Sequence, residues 1–189
     1  MAYVAILVIL AIVAGTAVIA AGGGTVTIIA IALLLFIPGR VQGFYYRDLF
    51  TGRRLPDARE PEKAIPFIER FLGSMQRYPH RSKLLWLSWS IYTPSVVAMA
   101  TNNLGAAQLE LGQVNEAEQT FISALAQDPL YPLPHFNMAI VHELRGNRAE
   151  AIEAVEMARQ LGYTGGTLDT VVRKGQSLLA LAEGRATQA

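Results

Sequence analysis

The sequence predicts an all-α protein with two N-terminal transmembrane helices, a short α-solenoid and a terminal capping helix. Three observations predict this class. Residues 1–39 carry no charged side chain, a 34-residue pattern recurs further along the chain, and an amphipathic stretch follows its last copy. Because the 189 residues include no cysteine, disulfides, thiol nucleophiles and thiolate metal sites are excluded.

Two apolar runs predict a transmembrane hairpin over residues 1–39. The spans are predicted over residues 3–21 and 24–38, because three consecutive glycines, Gly22–Gly24, are unfavourable inside a helix and suit a turn. A cleavable signal peptide is the alternative, although residues 2–20 offer no Lys or Arg for its basic start. The second apolar run is short, and the side of the membrane on which the remaining chain lies depends on whether this run crosses the bilayer.

The charge distribution predicts which side of the membrane the remaining chain occupies. Residues 40–83 carry ten basic and five acidic side chains, within a chain whose net charge is only +1. Basic residues beside an apolar segment favour the anionic face of a lipid bilayer over nucleic acid as a partner. The sequence therefore predicts an integral membrane protein with two spans, and its soluble region in the cytoplasm.

A 34-residue pattern is clearest over residues 98–165. Its two copies place small residues where two helices would approach closely. The signature positions of the first copy are Leu104, Gly105, Ala117, Phe121, Ala124 and Pro129, and those of the second are Met138, Ala139, Ala151, Val155 and Ala158. These residues resemble the tetratricopeptide repeat (TPR) family. The resemblance implies a stack of antiparallel helix pairs whose concave groove binds proteins or peptides, without catalytic activity.

Local signals predict where the helices of these two copies begin and end. Ser95 is predicted to cap the first helix, and Gly112 and Gly146 to end the first helix of each copy. Asn147 with Glu150 three residues later predicts a capping box.

Weaker signals divide the rest of the chain. Residues 40–78 are interpreted as a basic juxtamembrane segment with a degenerate third copy, residues 79–97 as an insertion, and residues 166–189 as a capping helix and tail. The degenerate copy, over 45–78, retains Gly52, Ala64, Ile68 and Phe71, but departs from the pattern at Thr51 and Pro66.

The insertion contains both tryptophans of the chain. Alternating apolar side chains over residues 84–93 favour an extended segment, with a short helix as the alternative. Trp86 and Trp89 are predicted to pack over the junction between copies, or to dock at a membrane interface.

The resemblance also implies which residues line the groove. They are Met99, Asn102, Asn103, Ala106 and Leu109 of the first copy, and Leu133, Phe136, Asn137, Ile140 and Glu143 of the second. Asn103 and Asn137 match a recurrent asparagine of the family, and the alternative is that they satisfy backbone groups between helices. No Lys or Arg precedes Arg145 on these helices, which disfavours a clamp for a charged C-terminus. An amphipathic helix or apolar peptide is the favoured ligand.

No residue constellation predicts an enzyme, a cofactor or a metal site. His135 and His142 lie seven apart on one helical face, but in the repeat register they are core or groove-lining residues. The favoured function is a membrane-anchored TPR adaptor or scaffold at the cytoplasmic membrane face. The alternative is a structural accessory subunit of a larger membrane complex, contacting that complex through the hairpin.

Overall fold

The computed structural model describes residues 12–13, 15–20, 22, 24–27, 29, 40–57, 60–87 and 93–186. Within these residues every regular element is a helix and no strand occurs, which confirms the all-α class. Residues 40–45 are helical and lead into the first full helix. The helices are α1 (Arg47–Asp57), α2 (Pro61–Arg77), a 3₁₀ helix (Pro79–Leu87), α3 (Val96–Glu110), α4 (Val114–Gln127), α5 (Pro132–Leu144), α6 (Arg148–Gln160) and α7 (Leu168–Ala186).

The helix boundaries follow local chemistry. The Ser95 hydroxyl accepts a hydrogen bond from the Ala98 N–H at 3.1 Å, which confirms it as the N-cap of α3. Gly112 and Gly146 have φ of +80° and +77°, the left-handed conformation that ends α3 and α5, as predicted. Asn147 precedes α6 but its side chain makes no capping hydrogen bond. The predicted capping box is therefore wrong.

The Asn147 backbone explains this failure. Its ψ of 71° lies away from the extended geometry that directs an N-cap side chain towards the first free N–H groups, whereas Ser95 has ψ of 105°. The Arg148 N–H bonds the carbonyl of Gly146 instead.

Consecutive helices form three pairs, α1–α2, α3–α4 and α5–α6, each joined by a short connection and extensively packed. Neighbouring pairs meet mainly through α2 with α3 and through α4 with α5. The same close approach occurs in two of the pairs. A β-carbon on Gly52 would lie 2.6 Å from Ile68, and one on Gly105 would lie 2.6 Å from the ring of Phe121. The α-solenoid itself stays a prediction.

The pattern residues of the second helices are buried at matching places. Ala64, Ala117 and Ala151 are each fully buried, although they lie on three different helices. Small side chains at these points allow the paired helix to come close. The core divides into two clusters of buried side chains. The first joins α1, α2 and α3, and the second extends from the end of α3 to α7.

The prediction of an integral membrane protein with two spans is corrected by the structure. No helix of the described chain is long and apolar enough to cross a bilayer. A span needs about 20 predominantly apolar residues in one helix. The longest described helix, α7 with 19 residues, carries five charged side chains. Much of the predicted spans, 3–21 and 24–38, lies outside the described residues.

The insertion between α2 and α3 contains a 3₁₀ helix. Residues 84–87 belong to it, so the helical alternative applies there and the extended segment does not. Residues 88–92, including Trp89, lie outside the described chain, and only the backbone of Trp86 is described. The predicted role of Trp86 and Trp89 is therefore left as a prediction.

Candidate functional site

The predicted groove residues lie on α3 and α5 at two different depths. Partly exposed positions along these helices provide a surface of apolar and amide groups, whereas the buried positions belong to the core. The partly exposed residues are Met99, Asn103, Ala106, Leu133, Asn137 and Glu143, and the buried ones are Asn102, Leu109, Phe136 and Ile140.

Two asparagines connect α3 to α5. The Asn137 Nδ2 group donates a hydrogen bond to Oδ1 of Asn102 at 2.9 Å. Asn102 is only 4% exposed, so its carbonyl oxygen needs a protein partner. The bond crosses between side chains and not to backbone groups. It fixes the relative position of the two helices that carry the predicted groove.

Asn103 occupies the same repeat position as Asn137 but lacks the equivalent bond. Its Nδ2 atom is buried and finds no hydrogen-bond partner among the described residues. In the predicted repeat register, the residue equivalent to Asn102 in the preceding pair is Leu49, a buried apolar side chain. Leu49 cannot accept a hydrogen bond. A buried donor without a partner costs about 1–3 kcal/mol, which an incoming acceptor would recover.

The end of α5 is covered by α7. Leu109, Phe136 and Ile140 share one buried cluster with Val171 and Leu178 of α7. The connection before α7 also lies on this face. A β-carbon on Gly166 would lie 2.3 Å from the Phe136 ring, whose centroid is 4.9 Å from that of Tyr163. Three residues predicted to line an open groove are therefore interior residues here. Only tertiary packing places α7 over them, since their spacing is the same for either role.

The charged groups around this face are paired. Glu143 bonds Arg148 at 2.7 Å, and Glu110 of α3 bonds Lys174 of α7. Arg145 binds both carboxylate oxygens of Glu118 on α4, at 2.6 and 2.8 Å. The hydrogen bond from Arg145 lowers the pKa of Glu118, and the reciprocal bond raises the pKa of Arg145. These ion pairs link neighbouring helices. The segment from Val96 to Leu144, which includes both groove helices, contains no Lys or Arg of its own.

The histidines contribute to the structure around α5. The His135 Nε2 lies 3.2 Å from the carbonyl oxygen of Pro129, and His142 is partly buried. In the described chain no three His, Asp or Glu side chains come together as a metal site. Tyr131, which precedes α5, is buried, and this burial raises the pKa of its hydroxyl.

A second surface was not predicted from the sequence. The Arg81 guanidinium lies between the rings of Tyr45 and Tyr78, 4.6 and 3.9 Å from their centroids. The Tyr46 hydroxyl donates to the Arg81 carbonyl at 2.8 Å and so holds the 3₁₀ helix against α1. In the sequence Tyr78 lies close to Arg81, but Tyr45 lies more than thirty residues before it. The sequence alone therefore did not indicate that these three side chains meet.

Comparison with known proteins adds no relative: no protein-family model matches the chain, and neither a curated protein nor a solved structure shows significant similarity to it. The functional argument therefore depends on the geometry of α3, α5 and α7.

Proposed function

We propose that the chain is a TPR-type helical-repeat protein that binds a protein or peptide partner along α3 and α5. The observation that carries the proposal is the buried Asn103 Nδ2 group, which has no acceptor among the described residues. A carbonyl oxygen from an extended or helical partner segment supplies the missing acceptor.

The repeat assignment is supported by recurring contacts. Gly52 with Ile68 and Gly105 with Phe121 make the same close approach, 53 residues apart in the chain. Fully buried alanines recur on the second helix of each pair. Such agreement between a sequence register and a packing contact is typical of repeats that bury one continuous core by stacking.

The chemistry of the surface indicates the kind of partner. Met99, Ala106 and Leu133 are apolar and partly exposed, and Asn103 supplies an uncharged polar group. No Lys or Arg lies between Lys83 and Arg145. An anionic tail would therefore find no countercharge on these helices, whereas an apolar segment with one well-placed carbonyl is complementary.

Site-specific photo-crosslinking of the intact protein tests this function. A photoreactive amino acid at Ala106, one turn after Asn103, is expected to capture a discrete partner in cell extract. The matched control places the same group at Ser123, which is exposed on α4. Equal capture from Ser123 would contradict the proposed site.

Substitution of the asparagine gives the second part of this test. Asn103→Ala is expected to lower capture at Ala106 about five- to tenfold, the equivalent of about 1 kcal/mol for one hydrogen bond. Asn147→Ala is the control, because that exposed side chain makes no capping bond. If Asn103→Ala captured as efficiently as the unaltered chain, the amide would have no part in binding.

A second candidate function is that of a structural accessory subunit of a larger complex. It is favoured by the exposed apolar side chains of the N-terminal segment, which are 53–81% exposed: Ile12, Val13, Ile19, Val26 and Ile29. Exposed apolar side chains on neighbouring residues, such as Ile12 and Val13, are common on surfaces that another protein covers. Deletion of residues 1–39 is expected to abolish association with the complex, but to leave a groove-bound partner in place. If the deletion abolished both the association with the complex and the binding of the groove partner, the N-terminal segment and the α3–α5 surface would not act independently.

A further inference from the structure

Helix α7 does not continue the packing pattern of the earlier helices. Besides its own pair partner, α3 packs against α2 and α5 packs against α4, so each first helix contacts the second helix of the preceding pair. α7 instead packs mainly against α5 and only slightly against α6. It runs in the same direction as α5, because Gly166 adjoins Phe136 and Gly175 adjoins Glu143. The helix therefore lies along the face on which the groove was predicted.

Helix α6 is left uncovered as a consequence. In the preceding pair, Glu118 of α4 is bound by Arg145 of α5, and its side chain is 18% exposed. The residue 34 positions later is Ile152 of α6, which is 48% exposed, and Met157 on the same helix is 41% exposed. A capping helix stacked on α6 would cover such apolar residues. α7 therefore packs along the face of the predicted groove and does not cover the exposed face of α6.

The contacts of α7 with the groove follow one face of the helix. Val171 and Leu178, seven residues apart, enter the buried cluster. Between them, Lys174 bonds Glu110 of α3, so α7 contacts both helices of the proposed binding surface. Leu179 and Leu181, on the two flanks of this face, are 51% and 48% exposed. α7 thus meets the groove as an amphipathic helix, with two apolar anchors and a cation between them.

The connection to α7 is suited to releasing it. Three of the residues between α6 and α7 are glycines, and Gly162 has a φ of +93°. Glycine lowers the barrier to a change in backbone direction because no side chain restricts its φ and ψ angles. The Gly166–Phe136 contact lies at the point where this connection meets α5.

We propose that α7 is an internal occupant of the binding surface, and that the external partner is an amphipathic helix of another protein that displaces it. The partner helix carries two apolar residues seven positions apart with a basic residue between them, the arrangement of Val171, Lys174 and Leu178. This inference rests on the proposed function, because it identifies the partner of the same α3–α5 surface. α7 and the partner compete, so the apparent affinity for the partner falls in proportion to the fraction of chains in which α7 is undocked.

A labelled peptide with the sequence of residues 167–186 tests displacement on the full chain. Fluorescence anisotropy is measured with the unaltered chain, with Leu178→Asp, and with Leu179→Asp as the control at an exposed position of α7. Loss of the buried Leu178 side chain undocks α7, so the peptide is expected to bind Leu178→Asp about tenfold more tightly or better. Leu179→Asp is expected to bind like the unaltered chain. Equal affinity for all three chains would overturn the inference.

A charge variant keeps the test valid if Leu178→Asp fails to fold. Lys174→Glu changes a surface side chain and sets two carboxylates opposite each other at Glu110, which weakens docking in cis. The unaltered peptide is expected to bind the Lys174→Glu chain more tightly than it binds the unaltered chain. A peptide carrying the same Lys174→Glu change is expected to bind the Lys174→Glu chain at least fivefold more weakly than the unaltered peptide does. No difference between the two peptides would overturn the predicted site.

The alternative occupant of the surface is α7 of a second copy of the chain, and the oligomeric state tests it. If light scattering shows that the unaltered chain is a dimer and that Leu178→Asp makes it a monomer, the occupant is a second copy and the proposal is overturned. A monomer that binds the peptide after Leu178→Asp supports it. Capture at Ala106 is measured separately, so a failed peptide experiment with intact capture rejects displacement by α7 but not the proposed function.

Discussion

Gly105 shows what a single residue contributes to the fold. The α3 and α4 helices approach so closely that a β-carbon at this position would lie 2.6 and 2.8 Å from two atoms of the Phe121 ring. That ring is fully buried and cannot swing into solvent. The absence of a side chain at Gly105 is therefore a packing requirement, since its backbone conformation is ordinary helix.

Gly105→Ala is expected to lower the free energy of unfolding by about 1–3 kcal/mol, because the added methyl group overpacks a rigid contact. Urea denaturation followed by circular dichroism measures the change. The matched control is Gly73→Ala in α2, where a β-carbon meets nothing within 4 Å. There the substitution is expected to stabilise by up to about 1 kcal/mol, since alanine favours helix. Equal effects at both positions would contradict the close approach.

Asparagine at equivalent repeat positions has two outcomes in this chain. Asn137 is bonded to Asn102, whereas the buried Nδ2 group of Asn103 is unpaired among the described residues. The proposed function depends on this difference.

At the scale of helices, an ion pair fixes the contact between neighbouring pairs. Arg145, at the end of α5, holds Glu118 of α4 with two hydrogen bonds and bonds Asn115 at 2.9 Å. A forked guanidinium–carboxylate contact has a defined geometry, so it sets the orientation of the two helices. The contact has no counterpart on α6, where Ile152 occupies the equivalent position.

The lowered pKa of Glu118 predicts a pH dependence of stability. A carboxylate whose pKa is lower in the folded state stabilises the fold above its ordinary value of 4.5, and this contribution is lost as the pH falls through the lowered folded value. We therefore expect the free energy of unfolding to fall more steeply below pH 4.5 in the unaltered chain than in Glu118→Gln. Chemical denaturation at pH values from 3 to 7 measures it.

Glu153→Gln provides the control for this experiment. Glu153 is an exposed carboxylate on α6, so its substitution removes the same charge without removing the contact with Arg145. Its pH profile is expected to follow that of the unaltered chain. If Glu118→Gln also followed that profile, the ion pair would contribute nothing to the pH dependence.

At the scale of the whole molecule, stability is distributed between two buried clusters. The first is formed by α1, α2 and α3, and the second extends from the end of α3 to α7. α3 contributes to both and connects them, with the Asn102–Asn137 bond as an additional link to α5. Helix pairs that contact mainly their neighbours transmit a local loss of packing only over short distances.

Ile68→Ala tests this division. Ile68 is fully buried in the first cluster, so its truncation is expected to cost about 2–5 kcal/mol. Hydrogen exchange is expected to accelerate in α1 and α2 much more than in α5 and α6. The control is Ile122→Ala, a 47% exposed residue whose truncation should change stability by less than about 0.5 kcal/mol. Uniform acceleration across all helices would show a single cooperative unit.

Several helices could be predicted from the sequence because their signals are local. The Ser95 cap and the terminating glycines, Gly112 and Gly146, act within a few residues of their own positions. The same local reasoning failed at Asn147, where the sequence offered a capping residue but the backbone did not adopt the required ψ angle. The two-span prediction is contradicted on other grounds, since no helix among the described residues is long and apolar enough to cross a bilayer.

The sequence by itself determined the all-α class and which small side chains face the interior of each helix pair, because these depend on spacing and on the sizes of residues such as Gly105 and Ala117. Tertiary structure alone decided how deep the groove residues lie. Phe136 and Ile140 have the spacing of groove residues, but α7 packs over them. The physical reason is that an apolar stripe specifies that it will be buried, whereas the segment that covers it is selected among distant parts of the chain.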